Sequence, residues 1–286
     1  MLCKLLAMSL TVSSLMTAHV YAAEGDDAPV DINEVARQLA NPNTNLGVLA
    51  FPLDYIQYQG DIKNSSSQSA MKLSFQPSLP YKLNDSMNLF FRPLVPVIFK
   101  QPVTELDENN ELSFTNQGIE LGDISFDVAV GKTFQNGVMA IAGIVGTLPT
   151  ATDDSLSLDQ TLLGPEFLVG YATEKFVVGT LFTQQWDVAG EDSFDTSITG
   201  GQYFYTINLA DGWQIQAQPT WSYNHNAQSG QELTFPIGTG LSKTLIFNKT
   251  PWKVSVQYWH YLEQPDAFGP DYQIRFQFAP VVPLPW

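Results

Sequence analysis

The stretch WQIQAQPTWSYNHN, residues 213–226, alternates apolar and polar residues without interruption. Trp213, Ile215, Ala217, Pro219, Trp221, Tyr223 and His225 fall on one face, and Gln214, Gln216, Gln218, Thr220, Ser222, Asn224 and Asn226 on the other. A period of two is the signature of a β-strand with one apolar and one wet surface. Strands of soluble proteins run to about 5–6 residues, whereas crossing a bilayer at a tilt of roughly 45° takes about 9–11. This strand is long enough to span.

The pattern recurs. Met71, Leu73, Phe75, Pro77, Leu79, Tyr81 and Leu83 alternate with Lys72, Ser74, Gln76, Ser78, Pro80, Lys82 and Asn84; Tyr272, Ile274, Phe276 and Phe278 alternate with Gln273, Arg275 and Gln277. A bilayer offers no water to unpaired strand edges, so strands cross it only as a closed barrel with lipid outside and a polar lumen inside. A soluble sandwich or lipocalin-like barrel fits less well, because strands this long and aromatic would need a larger core than those folds possess.

The N-terminus reads as a secretory signal over residues 1–22. Lys4 precedes a short apolar run, and Val20-Tyr21-Ala22 before Ala23 suits a small-residue cleavage site. The single cysteine, Cys3, leaves with it, so the mature chain is expected to hold neither disulfides nor thiolate metal sites. A secreted chain without a helical anchor but with membrane-length strands is expected in a Gram-negative outer membrane.

Turn signals divide the rest into twelve strands at 46–59, 69–83, 87–101, 121–134, 138–150, 163–173, 176–187, 197–209, 213–226, 233–247, 251–263 and 272–282, a domain covering 46–286. Connectors alternate between short turns such as Gln135-Asn136-Gly137 and Asn248-Lys249-Thr250 and longer loops, as in outer-membrane barrels with periplasmic turns and external loops. Much of the formal charge of −16 lies in the long loops, at residues such as Asp61, Asp107, Glu108, Asp192 and Asp266, with Lys63 the only base there. Such a rim either concentrates cations or is simply a solvated, repulsive surface. No basic patch suits nucleic acid.

Residues 23–45 form a leader different in kind. Asp31 through Glu34 make a capping box, and Ile32, Val35, Ala36, Leu39 and Ala40 share one face of a short helix that Asn41-Pro42 ends. A helix of about ten residues is unstable alone. It is expected to plug the barrel, cap its periplasmic mouth, or remain a flexible leader, with Ile32, Val35 and Leu39 as the docking residues in the first two cases.

Catalysis finds little support. His225 lies two and three residues from Tyr223 and Ser222, but alternation places it opposite Ser222 and Asn224, which disfavours a hydrogen-bonded nucleophile and base. His260 has only Glu263 nearby, and no histidine or cysteine cluster has metal-ligand spacing. The chain reads as a non-enzyme without cofactor or metal.

At Leu148-Pro149-Thr150-Ala151-Thr152-Asp153, Leu163-Gly164-Pro165 and Pro265-Asp266-Ala267-Phe268-Gly269-Pro270-Asp271 the sequence resembles the outer-membrane barrels grouped as "MetA pathway of phenol degradation" proteins, often labelled transporters and, in bacterial genomes, "neuromedin U". Arg37-Gln38-Leu39-Ala40-Asn41-Pro42, the tract 88–100 and the end 273–278 match as well, so the resemblance covers nearly all of the mature chain. Val281-Val282-Pro283-Leu284-Pro285-Trp286 extends beyond the usual family end. The resemblance implies uptake of apolar or aromatic compounds and supplies no catalytic residues.

The expectation is therefore an all-β protein, a transmembrane antiparallel up-and-down barrel of about twelve strands with a short N-terminal helix, serving as a passive channel or transporter for small molecules. A structural or adhesion barrel and an outer-membrane hydrolase are the competing readings. Twelve strands leave a narrow lumen. The residues expected to line it are Lys72, Gln76, Lys82, Arg92, Asp123, Asp127, Gln214, Gln216, Gln218, Lys253, Gln257, Arg275 and Gln277. Expected partners are outer-membrane lipid, the barrel-assembly machinery and small solutes.

Overall fold

The computed structural model describes residues 31–106, 111–191, 193–284 and 286. The expected signal segment 1–22 with its cleavage before Ala23, leader residues 24–30 and the loop acids Asp107, Glu108 and Asp192 lie outside the described residues.

The chain forms a closed, twelve-stranded antiparallel barrel preceded by one short helix. The helix α1 spans Ile32–Ala40. The strands are β1 (Gly47–Gln59), β2 (Ser69–Ser78 and Tyr81–Asn84), β3 (Met87–Leu106), β4 (Ile124–Thr133), β5 (Val138–Leu148) and β6 (Gln160–Ala172). They continue as β7 (Phe176–Gly190), β8 (Ser197–Asn208), β9 (Trp213–Ala217 and Thr220–Asn224), β10 (Leu233–Phe247), β11 (Thr250–Glu263) and β12 (Gly269–Val282). Each strand pairs with its sequence neighbours, and β1 pairs with β12 to close the barrel, with Phe51 opposite Phe278 and Asp54 opposite Arg275. Closure leaves no edge among the twelve barrel strands, which is the condition for β-structure in lipid.

The observed strands depart from the expected bounds in three ways, the first with a backbone cause. The expected strands 69–83 and 213–226 are each split, at Leu79-Pro80 and at Gln218-Pro219, because proline has no N–H to give the ladder. β3 continues past residue 101 to Leu106, where it pairs with Leu112–Gln117 as a ribbon projecting beyond the barrel. β6 begins at Gln160 and β12 at Gly269, three residues earlier than alternation alone suggests.

The pleat sorts side chains by solvent. Phe91, Phe167 and Phe276 are more than half exposed on the outside, while their chain neighbours Arg92, Glu166 and Arg275 turn inward. On the outer face Phe51 stacks on Phe278 at 4.8 Å and meets Phe75 at 5.2 Å, an aromatic row across the closing pair β12–β1 and on to β2. At the short-turn end, Asn248 and Lys249 both take positive φ (49° and 64°), the conformation of a two-residue hairpin turn that matches strand twist.

Candidate functional site in the barrel lumen

Two groups of charged side chains face the interior. In the first, Asp54 accepts from Arg275 through Nε at 2.6 Å and Nη2 at 2.8 Å, and from Gln273 Nε2 at 2.8 Å. The Arg275 guanidinium lies 4.5 Å over the Trp259 ring, whose Nε1 donates to Gln257 Oε1 at 3.0 Å. Tyr261 donates to Gln273 Oε1 at 3.0 Å. Asp54 is 1% exposed and Trp259 also 1%, so the group is held on every side. A planar fork with two parallel bonds fixes orientation as well as charge.

In the second group, Arg92 on β3 donates through Nε to both oxygens of its register partner Asp127 on β4, at 2.8 and 3.1 Å. Its Nη2 lies 3.7 Å from Glu166 Oε1 on β6. Two carboxylates thus flank one guanidinium, while around Asp54 the balance reverses, because Lys72 stands opposite it on β2. Neither Lys72 nor Lys253 makes an ion pair among the described residues. The amides of Gln214 and Gln216 on β9 are buried, and Gln76 and Gln277 are half-buried.

Two residues expected in the lumen sit at its ends. Lys82 is exposed beside the short turn, where its Nζ meets Asp85 at 2.9 Å and holds that carboxyl below its usual pKa through the hydrogen bond and the attraction of charge. Asp123 belongs to the long-loop rim. Its Oδ1 accepts from the Thr150 and Ala151 amides at 2.9 and 3.0 Å, and its Oδ2 from Ser157 Oγ at 2.9 Å. With Ile124 donating to Thr150 Oγ1 at 2.8 Å, the Leu148-Pro149-Thr150-Ala151-Thr152-Asp153 tract becomes a knot that fixes this loop to the start of β4. Alternation tells the face of a residue but not its height. Gln218 lies in the break of β9, its backbone N–H donating to Gln257 Oε1 at 3.1 Å.

The helix closes much of the short-turn end. Asp31 caps it by accepting from Asn33 N at 2.9 Å and Glu34 N at 3.3 Å. Asn33 Oδ1 then accepts from Gly212 N at 2.8 Å, and Gln214 Nε2 donates to Ala36 O at 2.8 Å. Ala36 is buried, Ala40 packs on the cluster of Ala129, Met139, Ile141, Leu168, Val177 and Phe204, and Ile32, Val35 and Leu39 are half-buried. Gly212 has φ +73°, and a Cβ there would stand 2.4 Å from Ile32 Cγ2, so the turn admits the helix only as glycine. The chain then crosses to the opposite wall, where Asn43 Nδ2 donates to Thr133 Oγ1 at 2.8 Å and Asn88 Nδ2 to Asn45 Oδ1 at 2.9 Å. These asparagines escape sequence reading because their partners are 43 and 90 residues away. The helix leaves clefts of about 350 and 420 Å³ beside it, one against Trp213 and Lys175 and the other against Gln135 and Val177. At the long-loop end a cavity of about 520 Å³ lies between Tyr58, Ile98, Leu158 and Phe268.

His225 turns outward, with Nε2 2.7 Å from Thr199 Oγ1 and its ring edge-on to Tyr223 at 5.0 Å. The Thr199 hydroxyl is also bonded to Gln184 Oε1, and no carboxylate bonds to His225 among the described residues. Ser222 pairs with Gly200 in the inward phase and is not the partner of this histidine. Among the described residues no three His, Cys, Asp or Glu side chains converge as metal ligands.

No protein-family model matches the sequence, and no curated protein does. Among solved structures, the chain is similar to the COG4313 outer membrane channel from Pseudomonas putida F1, with a TM-score of 0.63 at 14% identity, over 91% of this chain and 100% of that one. The fold is that of an outer-membrane barrel. It is also similar to the NanC porin, with a TM-score of 0.51 at 8% identity, over 82% of this chain and 100% of that one. At these identities the likeness extends to the barrel architecture and not to any side chain.

Proposed function

We propose that this outer-membrane-type barrel is a channel for the passive passage of small molecules, placed in the outer membrane after removal of a signal peptide before Ala23. The observation that carries the reading is the interior. A lumen lined by Asp54, Lys72, Arg92, Asp127, Glu166, Arg275 and a set of glutamines is too polar to serve as a packed core, while the outer face is apolar. The solved structures that share its architecture are described as a channel and a porin, which agrees with that reading. The resemblance to the phenol-degradation barrels favours apolar or aromatic solutes, for which the cavity between Tyr58 and Phe268 supplies an apolar wall beside the polar Asp123 rim. We assign residues 31–45 as a cap on the mouth rather than a tether, because Asn33, Ala36 and Asn43 are bonded to opposite walls.

Osmotic swelling of liposomes containing the purified protein tests this directly. Swelling in small neutral solutes and in benzoate, at rates above protein-free vesicles, is expected. Vesicles that do not swell in any solute, with the barrel folded, would leave a structural or adhesive role.

A further inference from the structure

The two ionic groups of the lumen are balanced differently. Arg92 sits against two carboxylates, Asp127 and Glu166. Around Asp54 there are two cations to one carboxylate, because a single register row sets Arg275 of β12 opposite Asp54 of β1, and Asp54 opposite Lys72 of β2. Arg275 directs Nε and Nη2 to Asp54, which accepts from Gln273 as well. The remaining Arg275 nitrogen, Nη1, and the Lys72 Nζ make no hydrogen bond or ion pair among the described residues. Gln257 Nε2 and Glu166 Oε1 are buried without a hydrogen bond, whereas these two nitrogens are open to the lumen. Ammonium and guanidinium groups donate and cannot accept. The chemistry that completes this row is therefore an acceptor carrying negative charge, and a carboxylate matches a guanidinium edge beside an ammonium.

Lys72 also has an apolar neighbour. Its register partner on β3 is Ile98, 9% exposed, and Ile98 forms one wall of the cavity of about 520 Å³ at the long-loop end. In that cavity Tyr58 stacks on Phe268 at 4.5 Å, and Phe114 of the projecting ribbon meets Phe268 at 4.7 Å. The nearby acids are engaged elsewhere. Asp123 accepts from the Thr150 and Ala151 amides and from Ser157, and Glu120, opposite Ile98, accepts from the Thr152 hydroxyl. Their charge repels an anion at the rim while Lys72 and Arg275 attract it, so a solute with one charged end is oriented with that end toward the cations.

We propose that Lys72 and Arg275 form a subsite for the carboxylate of an amphipathic monoacid, whose apolar body lies against Ile98 in the Tyr58–Phe268 cavity. The proposal rests on the channel reading above and adds the substrate class, acids with one carboxylate on an apolar body rather than neutral hydrocarbons.

Two measurements on the mature chain test it. In planar bilayers in potassium chloride, 4-fluorobenzoate should interrupt the ion current in blocks that saturate with concentration. The uncharged 4-fluorobenzyl alcohol and the ringless acetate should block severalfold less at equal concentration. In detergent, the fluorine resonance of 4-fluorobenzoate should broaden on addition of the folded barrel and sharpen again with excess benzoate. Lys72→Gln should weaken block and broadening about tenfold, the worth of one charge-assisted hydrogen bond, and Lys72→Arg should retain them. Lys253→Gln, which removes the same charge from another part of the lumen, should retain them too, with heat-modifiability reporting the fold of each variant. Block by the alcohol equal to that by the acid, absence of broadening, or equal losses in Lys72→Gln and Lys253→Gln would overturn the subsite. The comparison of solutes on the unmodified protein decides the matter should Lys72→Gln fail to fold. Broadening without any ion current would instead defeat the channel reading and leave the subsite standing.

Discussion

Gln214 of β9 donates its side-chain amide to the Ala36 carbonyl of α1 at 2.8 Å, joining the alternating stretch 213–226 to the segment that precedes the barrel. The same side chain accepts from Ser242 Oγ at 3.2 Å and donates to Asn208 at 2.8 Å, so it is saturated by the closed arrangement. Removing a buried donor leaves an acceptor unsatisfied at a cost of about 1–3 kcal/mol. Gln214→Ala should therefore loosen the helix without opening the barrel. Limited proteolysis should cut within residues 31–45 faster than in the unmodified protein, and an unchanged rate would mean that Asn33 and the asparagines of the opposite wall hold the leader alone.

The Asp54–Arg275 pair is expected to carry much of the stability of the closing strands. Breaking a buried ion pair from one side costs about 3–5 kcal/mol, whereas replacing both partners with apolar groups is often nearly neutral. Asp54→Ala should lower the guanidinium unfolding midpoint of the detergent-folded protein, and Asp54→Leu with Arg275→Met should recover most of the loss. A double variant no better than the single would show that the guanidinium is held mainly by Trp259.

Phe276 lies in β12 on the lipid face and is 54% exposed. Phe276→Asp puts a charge in hydrocarbon at a cost of up to about 3 kcal/mol, less near the interface. It should reduce the amount of heat-modifiable protein in membranes, while Arg275→Gln, one residue away on the inner face, should reduce it less. Equal effects would mean that the two faces are misassigned.

The fold was legible because lipid imposes a strict pattern on side chains. Period two and turn residues located all twelve strands, and Asp31 located the helix cap. Side chains report the pleat, however, and not the ladder. The alternation runs unbroken through Pro80 and Pro219, although the backbone pairing stops at both. The same reading could not tell the height of a residue in the barrel, so Lys82 and Asp123 looked like Lys72 and Asp127 yet lie at opposite rims. For the helix, the apolar face of Ile32, Val35, Ala36, Leu39 and Ala40 was legible, but not that the fully buried contact is made at Ala36, where a small side chain allows the backbone close enough for Gln214 to reach it. The partners of Arg92 and Arg275 emerge only once register is known.

The long-loop rim holds Asp61, Glu232, Asp266 and Asp271 against Lys63. Charges at a mouth act over the screening length, which falls from about 10 Å at 0.1 M salt to about 3 Å at 1 M. Reversal potentials under a potassium chloride gradient should show a cation preference at low salt that fades as salt is raised. Anion preference at low salt would mean that Lys72, Lys253 and the two lumen arginines outweigh the rim.

The central claim is that this barrel conducts through a lumen narrowed by α1. Single-channel recording in planar bilayers, comparing the full mature chain with one lacking residues 24–41, measures it most directly. Stepwise openings are predicted for both, larger for the shortened chain, with the barrel still heat-modifiable. Equal conductance in the two would contradict the cap, and no openings from either folded protein would contradict the channel.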